Sequence, residues 1–202
     1  MSSNPPAPRR PDQLILEGIV TTRNKDGSVN VSPMGPVVDG EVNALRLRPF
    51  SSSTTYQNLK RNRVGVFHVT DDVDLLARAA TGTLVTNPEM LDDTADGLVI
   101  ANACRWYAFE VSLLDDSQAR VEIECSVTER GRLRDFLGWN RAMHSVLEAA
   151  ILATRVGLLP MEEILSQMKP LKAIVDKTGS EKELACFQFL SEYINASADD
   201  LN

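Results

Sequence analysis

The sequence has few of the residues that usually build metal or nucleophilic centres. Its 202 residues include only two histidines and three cysteines, and Cys104, Cys125 and Cys186 lie far apart without a C-x-x-C pair. An odd, scattered set of cysteines predicts reduced thiols rather than a disulfide framework or a zinc site. No nucleophile–base pair and no Walker-type phosphate loop is visible. The sequence therefore predicts no metal and leaves any catalytic residue unknown.

Excess positive charge and long apolar runs are also missing. The 21 basic and 28 acidic residues give a formal net charge of −7, which argues against binding to nucleic acid or to an anionic membrane. The most apolar helical stretch, residues 145–159, is interrupted by Glu148 and Arg155, so no membrane span is predicted. Residues 1–12 hold four prolines and no apolar h-region, which predicts a disordered tail rather than a signal peptide. We expect a soluble, cytoplasmic protein.

Residues 13–128 are predicted to form a domain of short strands, with small polar residues between Lys25 and Ser28 that suit a hairpin turn. Two short helices are expected at 54–62 and 71–80, and the acidic loop 87–97 is too polar to pack. Closely spaced strands joined by hairpin-type turns favour an antiparallel barrel or sandwich over a sheet of βαβ units. The predicted strands cover residues 14–23, 24–34, 41–49, 63–71, 81–87, 104–116 and 119–129.

Residues 129–202 are predicted to form a helical C-terminal subdomain. Apolar residues recur at helical spacing between Trp139 and Ile151. A second helix is expected after Pro160, ending at a break before Pro170. Ser180 and Glu183 have the spacing of a capping box and predict the start of a third helix.

The most unusual segment is a positively charged island within this acidic chain. Residues 42–70 contain no acidic residue but five basic ones. Arg46 and Arg48 share one face of a predicted strand, and a run of hydroxyls, residues 51–55, leads into the helix predicted at 54–62. A guanidinium, hydroxyl donors and the unpaired amides of a helix N-terminus are together suited to a phosphate. The hydroxyl candidates are Ser51, Ser52, Ser53, Thr54 and Thr55.

Each of these features also has an ordinary structural explanation. Thr54 with Gln57 can form a capping box, and the basic residues that follow can be a solvated helix face. His68 lies in a predicted strand and is expected to be structural or interfacial rather than catalytic. His144 lies on a polar helix stripe and is expected at a surface or interface.

Residues 29–70 resemble the core of the flavin-reductase-like, FMN-binding split-barrel superfamily. The resemblance rests on the strand segment 32–37, the hydroxyls that open the helix at 53–55, Leu59 with Lys60, and the "VFHV" strand at 66–69. The wider chain, over 13–195, is similar to a smaller prokaryotic branch with a helical C-terminal extension and no characterised function. The resemblance implies an antiparallel, six-stranded split barrel that forms a homodimer and holds FMN near the dimer interface.

The same resemblance assigns expected roles to individual residues. Arg48 and the hydroxyls of residues 53–55 would hold the FMN phosphate, and Asn58 would support the start of the helix. The residues expected near the isoalloxazine ring are Ser32, Pro33 and Met34.

Three functions fit these expectations. The chain could be a flavoprotein oxidoreductase that acts on an unidentified small molecule, because in such proteins the cofactor supplies the chemistry. It could instead bind, carry or sense FMN without turnover. The third alternative is a scaffold or interaction domain without flavin, in which the hydroxyl run only caps a helix.

Overall fold

The computed structural model describes residues 14–118 and 120–199, so the predicted tail over 1–12 lies outside the described residues. A mainly antiparallel sheet is followed by helices, as predicted. The strands are β1 (Leu14–Ile15), β2 (Gly18–Arg23), β3 (Val29–Met34), β4 (Val37–Val38), β5 (Ala44–Leu47), β6 (Val64–Val69), β7 (Met90–Leu91), β8 (Val99–Ile100), β9 (Arg105–Asp115) and β10 (Glu122–Arg132). The α-helices are α1 (Thr54–Asn62), α2 (Val73–Thr81), α3 (Arg141–Ala153), α4 (Met161–Thr178) and α5 (Glu181–Asp199).

The main sheet curls into a six-stranded barrel, which confirms the predicted fold. Its eight strands follow the order β1-β4-β5-β10-β9-β6-β2-β3, and all pairs are antiparallel. Strand β1 leads into β2, and β3 into β4, so each pair acts as one bent strand. Leu16 donates its amide to the Pro36 carbonyl at 3.1 Å where the two bends meet. The six strands are therefore β1–β2, β3–β4, β5, β10, β9 and β6 in order around the barrel. The circuit closes because β6 pairs with β2, while β4 pairs with both β1 and β5.

The barrel interior is filled by alternating strand residues. Leu45 and Leu47 of β5 point inward, while Arg46 between them stays half exposed. Phe67 and Phe109 from β6 and β9 pack in the same core. This alternation with a period of two explains why strand faces were predictable here from sequence.

Helix α2 joins the barrel to the C-terminal helices. Leu75 and Leu76 pack with Ile19 and other residues against the barrel wall. Val73 and Ala77, on the other side of α2, belong to the core that α3, α4 and α5 share. The helical region is therefore packed against the barrel through α2 rather than hanging from its end.

His68 is a structural residue of the barrel, in agreement with the expectation that it is structural or interfacial. Its side chain is fully buried. The Ile100 amide donates to Nε2 at 3.1 Å, so Nδ1 carries the proton and donates to the Ile19 carbonyl at 3.2 Å. Burial lowers the pKa of His68 to about 4, which keeps the ring neutral and both hydrogen bonds intact.

Two predictions for residues 81–97 are wrong. No strand forms over 81–87, because α2 continues to Thr81 and Gly82 ends it in the left-handed conformation, with φ of 69°. The acidic loop is not free of packing either, since β7 pairs with β8 and Leu91 packs against the cluster around Trp106. The few apolar residues of this loop are enough to hold it on the barrel.

The predicted break before Pro170 is also wrong, because α4 runs through it. A proline removes one helical hydrogen bond and costs about 3 kcal/mol. Here Ile164, Met168 and Val175 bury one face of α4 in the helical core, and this burial offsets that cost. The capping box at the start of α5 is confirmed, since the Ser180 amide and hydroxyl donate to Glu183 at 2.8 and 2.6 Å.

Candidate functional site

A cleft of about 430 Å³ lies between the barrel and the helices. Its barrel wall includes the end of β3 and the segment that leads into α1. Its opposite wall is formed by α2 and α3, through Leu76, Leu147, Ala150 and Ile151. The volume lies within the range of about 300–1,000 Å³ that small-molecule sites usually have.

The structure brings half of the predicted site residues to this cleft. The remaining predicted residues take other positions. Ser51, Ser52 and Thr54 are exposed, whereas Thr55 and Asn58 are buried against the barrel. The residues that line the cleft are Ser32, Pro33, Met34, Arg48 and Ser53.

The N-terminus of α1 is capped by Ser53 rather than by the Thr54–Gln57 pair. Ser53 Oγ accepts a hydrogen bond from the Tyr56 amide at 3.2 Å, and Gln57 reaches back to the Ser51 carbonyl at 3.0 Å. The first amides of a helix have no acceptor within the helix and attract anions. Ser53 therefore places this helix N-terminus at the wall of the cleft.

Asn58 and Thr55 fasten α1 to the barrel. Asn58 Nδ2 donates to Thr22 Oγ1 at 3.0 Å and to Asn24 Oδ1 at 2.7 Å. Thr55 Oγ1 accepts from Asn30 Nδ2 at 3.1 Å. Both side chains hold the helix in place and do not reach the cleft.

The positive island is divided by the fold. Lys60 binds Asp116 at 2.7 Å, and Arg61 and Arg63 donate to backbone carbonyls. Arg46 in β5 and Arg48, just past its end, donate no side-chain hydrogen bond to any described residue, and the Nε atom of each is buried.

Of the five basic residues in the island, Arg48 is the one that lines the cleft. Its Nε lies 3.3 Å from Glu122 Oε1, but this ion pair does not have the geometry of a hydrogen bond. Buried polar atoms are rarely left without a partner in folded proteins. Arg46 lies in β5, two residues before Arg48, and lines a separate groove formed mainly by residues of β4, β5 and β10.

Several residues of the cleft were not predicted, because nothing in the neighbouring sequence indicates that they line it. Glu17 lines the cleft from the link between β1 and β2, and Arg120 and Arg155 line it from the β9–β10 turn and the end of α3. Partial burial, and then the nearby Glu148 carboxylate, raise the pKa of Glu17 although its side chain is partly exposed. Only the packing of distant segments brings these groups together.

The sequence also matches two models of one family over most of its length. The N-terminal domain model of the "Protein of unknown function (DUF447)" family matches residues 16–134, and a second DUF447 model matches residues 140–192. The chain belongs to the DUF447 family. No curated protein matches its sequence.

A solved structure shares the fold of this DUF447 chain over most of its length, and others are similar to parts of it. An FMN-bound DUF447 protein from Methanosarcina mazei is 25% identical, with a TM-score of 0.76 over 89% of this chain and 94% of the other. The styrene monooxygenase flavin reductase of Pseudomonas putida S12 is 10% identical, with a TM-score of 0.47 over 58% and 79%. The FMN-binding protein of Thermus thermophilus is 14% identical, with a TM-score of 0.48 over 66% and 79%. The match to the FMN-bound Methanosarcina mazei structure, which extends over barrel and helices, confirms the predicted resemblance.

Within residues 14–118 and 120–199, no helix combines the length and the apolar character that crossing a membrane requires.

Proposed function

We propose that this DUF447 protein binds FMN non-covalently in the cleft and acts as an oxidoreductase on a small molecule. The observation that carries the proposal is Arg48, which lines the cleft and whose buried Nε has no hydrogen-bond partner among the described residues, although it lies 3.3 Å from Glu122 Oε1. A phosphate would give this guanidinium the charge-assisted hydrogen bonds that it lacks. The FMN bound by the similar Methanosarcina mazei protein supports the choice of cofactor.

The residues around Arg48 fit a phosphate group. Ser53 places the N-terminus of α1 at the cleft wall, where the amides of Thr54 and Thr55 can donate to an anion. The Thr54 side chain is exposed, so its backbone amide is the group that this geometry favours. Arg48 and the helix N-terminus together would fix the phosphate end of the cofactor.

The remaining walls fit a flat ring system. Pro33 and Met34 lie on one side of the cleft, and Leu147 and Ile151 of α3 lie on the other. Apolar walls on both sides exclude water and favour stacking of an aromatic ring. When bound, FMN supplies the capacity to accept and donate electrons, while the protein binds and orients it.

A homodimer is part of the same proposal. Phe50, at the cleft, is 59% exposed although it is large and apolar. Leu137 is 85% exposed. Exposed apolar side chains of this size support association with a second copy, and sedimentation of the purified protein measures it.

FMN titration of two matched arginine variants tests the proposal. Arg48→Ala is expected to weaken FMN binding by about 1–3 kcal/mol, or roughly 5- to 150-fold, because a charge-assisted hydrogen bond is lost. Arg46→Ala removes the same charge two residues away and is expected to leave the affinity unchanged. Quenching of FMN fluorescence measures both.

Equal loss in both variants would show a general charge effect and refute the assignment of Arg48. A protein that neither binds added FMN nor gains thermal stability from it would refute the whole proposal. Reduction of bound FMN by NADH or NADPH then distinguishes an oxidoreductase from a protein that only carries or senses flavin.

A further inference from the structure

A second cavity of about 260 Å³ adjoins the cleft. The two share four lining residues, Ile15, Glu17, Leu76 and Leu147. Helix α3 runs along both, so a molecule in the second cavity would lie beside one in the first. The shared wall makes the second cavity a candidate position for the partner molecule of the proposed flavin.

Aromatic side chains line the second cavity. The rings of Trp139 and His144 are stacked, with centroids 5.2 Å apart and an interplanar angle of 21°. Phe136 also lines the cavity and is 42% exposed. Indole and phenyl faces left open to solvent favour a flat ring as ligand, because stacking would cover apolar surface on both sides.

Most polar groups of this cavity already have partners within the described residues. Asp71 is bound by the guanidinium of Arg134 and by a backbone amide. Asn140 caps α3 through the Met143 amide at 3.1 Å. Glu17, in contrast, is an exposed residue of this lining, and no described residue donates a hydrogen bond to its carboxylate or forms an ion pair with it.

Glu17 is exposed, and no oppositely charged group of the described residues contributes to the shift of its pKa. Glu148 is its nearest charged influence and has the same sign, so burial and repulsion together raise the pKa of Glu17. Glu17 also lies against the bend between β3 and β4, where a Cβ on Gly35 would come within 2.7 Å of Oε1. The carboxylate is therefore held at the shared wall, where a positive charge would stabilise it.

We infer that the second cavity binds a planar aromatic cation, such as a positively charged nitrogen heterocycle, with its ring against Trp139 and its charge toward Glu17. Cations are also attracted to the face of an indole ring, so both groups select the same ligand class. The inference rests on the proposed function only in naming this ligand the reaction partner of the flavin. The cavity itself is defined by its own residues.

A matched pair of probes tests the site. 1-Methylquinolinium is a flat cation, and 1-methylnaphthalene has the same shape with carbon in place of the charged nitrogen. Calorimetric titration of the full chain at pH 8 is expected to show about tenfold tighter binding of the cation, from its charge and cation–π contacts. Each probe is titrated with and without FMN.

Three variants separate the contributions of the two walls. Glu17→Gln is expected to abolish the preference for the cation while keeping the side-chain shape. Trp139→Ala is expected to weaken both probes. Glu162→Gln, an equal charge change on the first turn of α4, is expected to alter neither. Thermal melts of each variant check that it is folded.

Equal affinity for the two probes in the wild-type protein would refute the inference. Unchanged cation binding in folded Glu17→Gln would also refute it. If the titration of the arginine variants refutes FMN binding, the two probes can still be compared in the FMN-free protein. The proposed function and the ligand of the second cavity can therefore fail separately.

Discussion

The buried His68 makes a quantitative prediction about stability in mild acid. Its pKa falls from an ordinary value of 6.5 to about 4 on folding, because burial disfavours the imidazolium. The unfolded chain therefore binds more protons between these two pH values. Stability from His68 is complete above pH 6.5 and is lost as pH falls toward 4.

The full shift corresponds to about 3 kcal/mol, at roughly 1.4 kcal/mol for each pKa unit. At pH 5 about 2 kcal/mol should already be lost relative to pH 7.5. For a chain of this size that lowers the melting temperature by roughly 4–8 °C. Urea unfolding from pH 7.5 to pH 5 measures the loss as a change in the free energy of unfolding.

Other groups also titrate in this range, so the decisive quantity is a difference between proteins. His68→Gln keeps an acceptor for the Ile100 amide and should lower stability at neutral pH. Its stability should fall less steeply with acid, by about the 2 kcal/mol assigned to His68. His144→Gln should keep the full slope, because that ring is exposed. An NMR titration of His144→Gln then measures His68 alone, and a pKa near 6.5 would refute the reasoning.

Two further predictions concern local stability. Ser180→Ala removes the hydrogen bonds of the hydroxyl with Glu183 and the Lys182 amide but keeps the backbone bond to Glu183. It should reduce the free energy of unfolding by about 1 kcal/mol, as measured in urea; no loss would mean that the hydroxyl adds nothing to helix stability. Asp71→Asn weakens the contact with Arg134, whose guanidinium lowers the pKa of Asp71 to about 2, and should cost on the order of 2 kcal/mol at pH 7. That difference should shrink as the pH falls below 4, and a difference independent of pH would contradict the cause.

Some local features were predicted well, whereas the strand over 81–87 and the break before Pro170, also inferred from local pattern, did not form. Helix α1 has the predicted bounds, and the capping box at Ser180 forms as expected. Hydroxyl caps and alternating apolar residues act between neighbours in the chain, so their effect survives whatever the tertiary structure is. The resemblance over 29–70 then supplied the closure of the barrel, which no local pattern contains.

Which predicted residues would line the candidate cleft could be inferred from sequence only where a single segment contributes them. Arg48 and Ser53 are five residues apart and both reach the cleft. Thr55 and Asn58 share the same helix but face the barrel, because the packing of α1 decides which side is buried. No local pattern predicted that Glu17 lines the cleft. It does so because α3, more than a hundred residues later in the chain, packs opposite it. Contacts between segments so far apart in the chain leave no periodic pattern in the sequence from which they could be predicted.

The C-terminal helices belong to the site rather than to a separate appendage. A division at residues 128 and 129 stays a prediction, while β10 continues to Arg132 and Arg134 binds Asp71 at the start of α2. Helix α3 lines both the cleft and the second cavity, and α2 packs against both cores. Removing the helices would open both cavities to water and expose the apolar face of α2. A barrel that binds flavin in this way would need its helical part to form a closed site, so the two parts are expected to function as one unit.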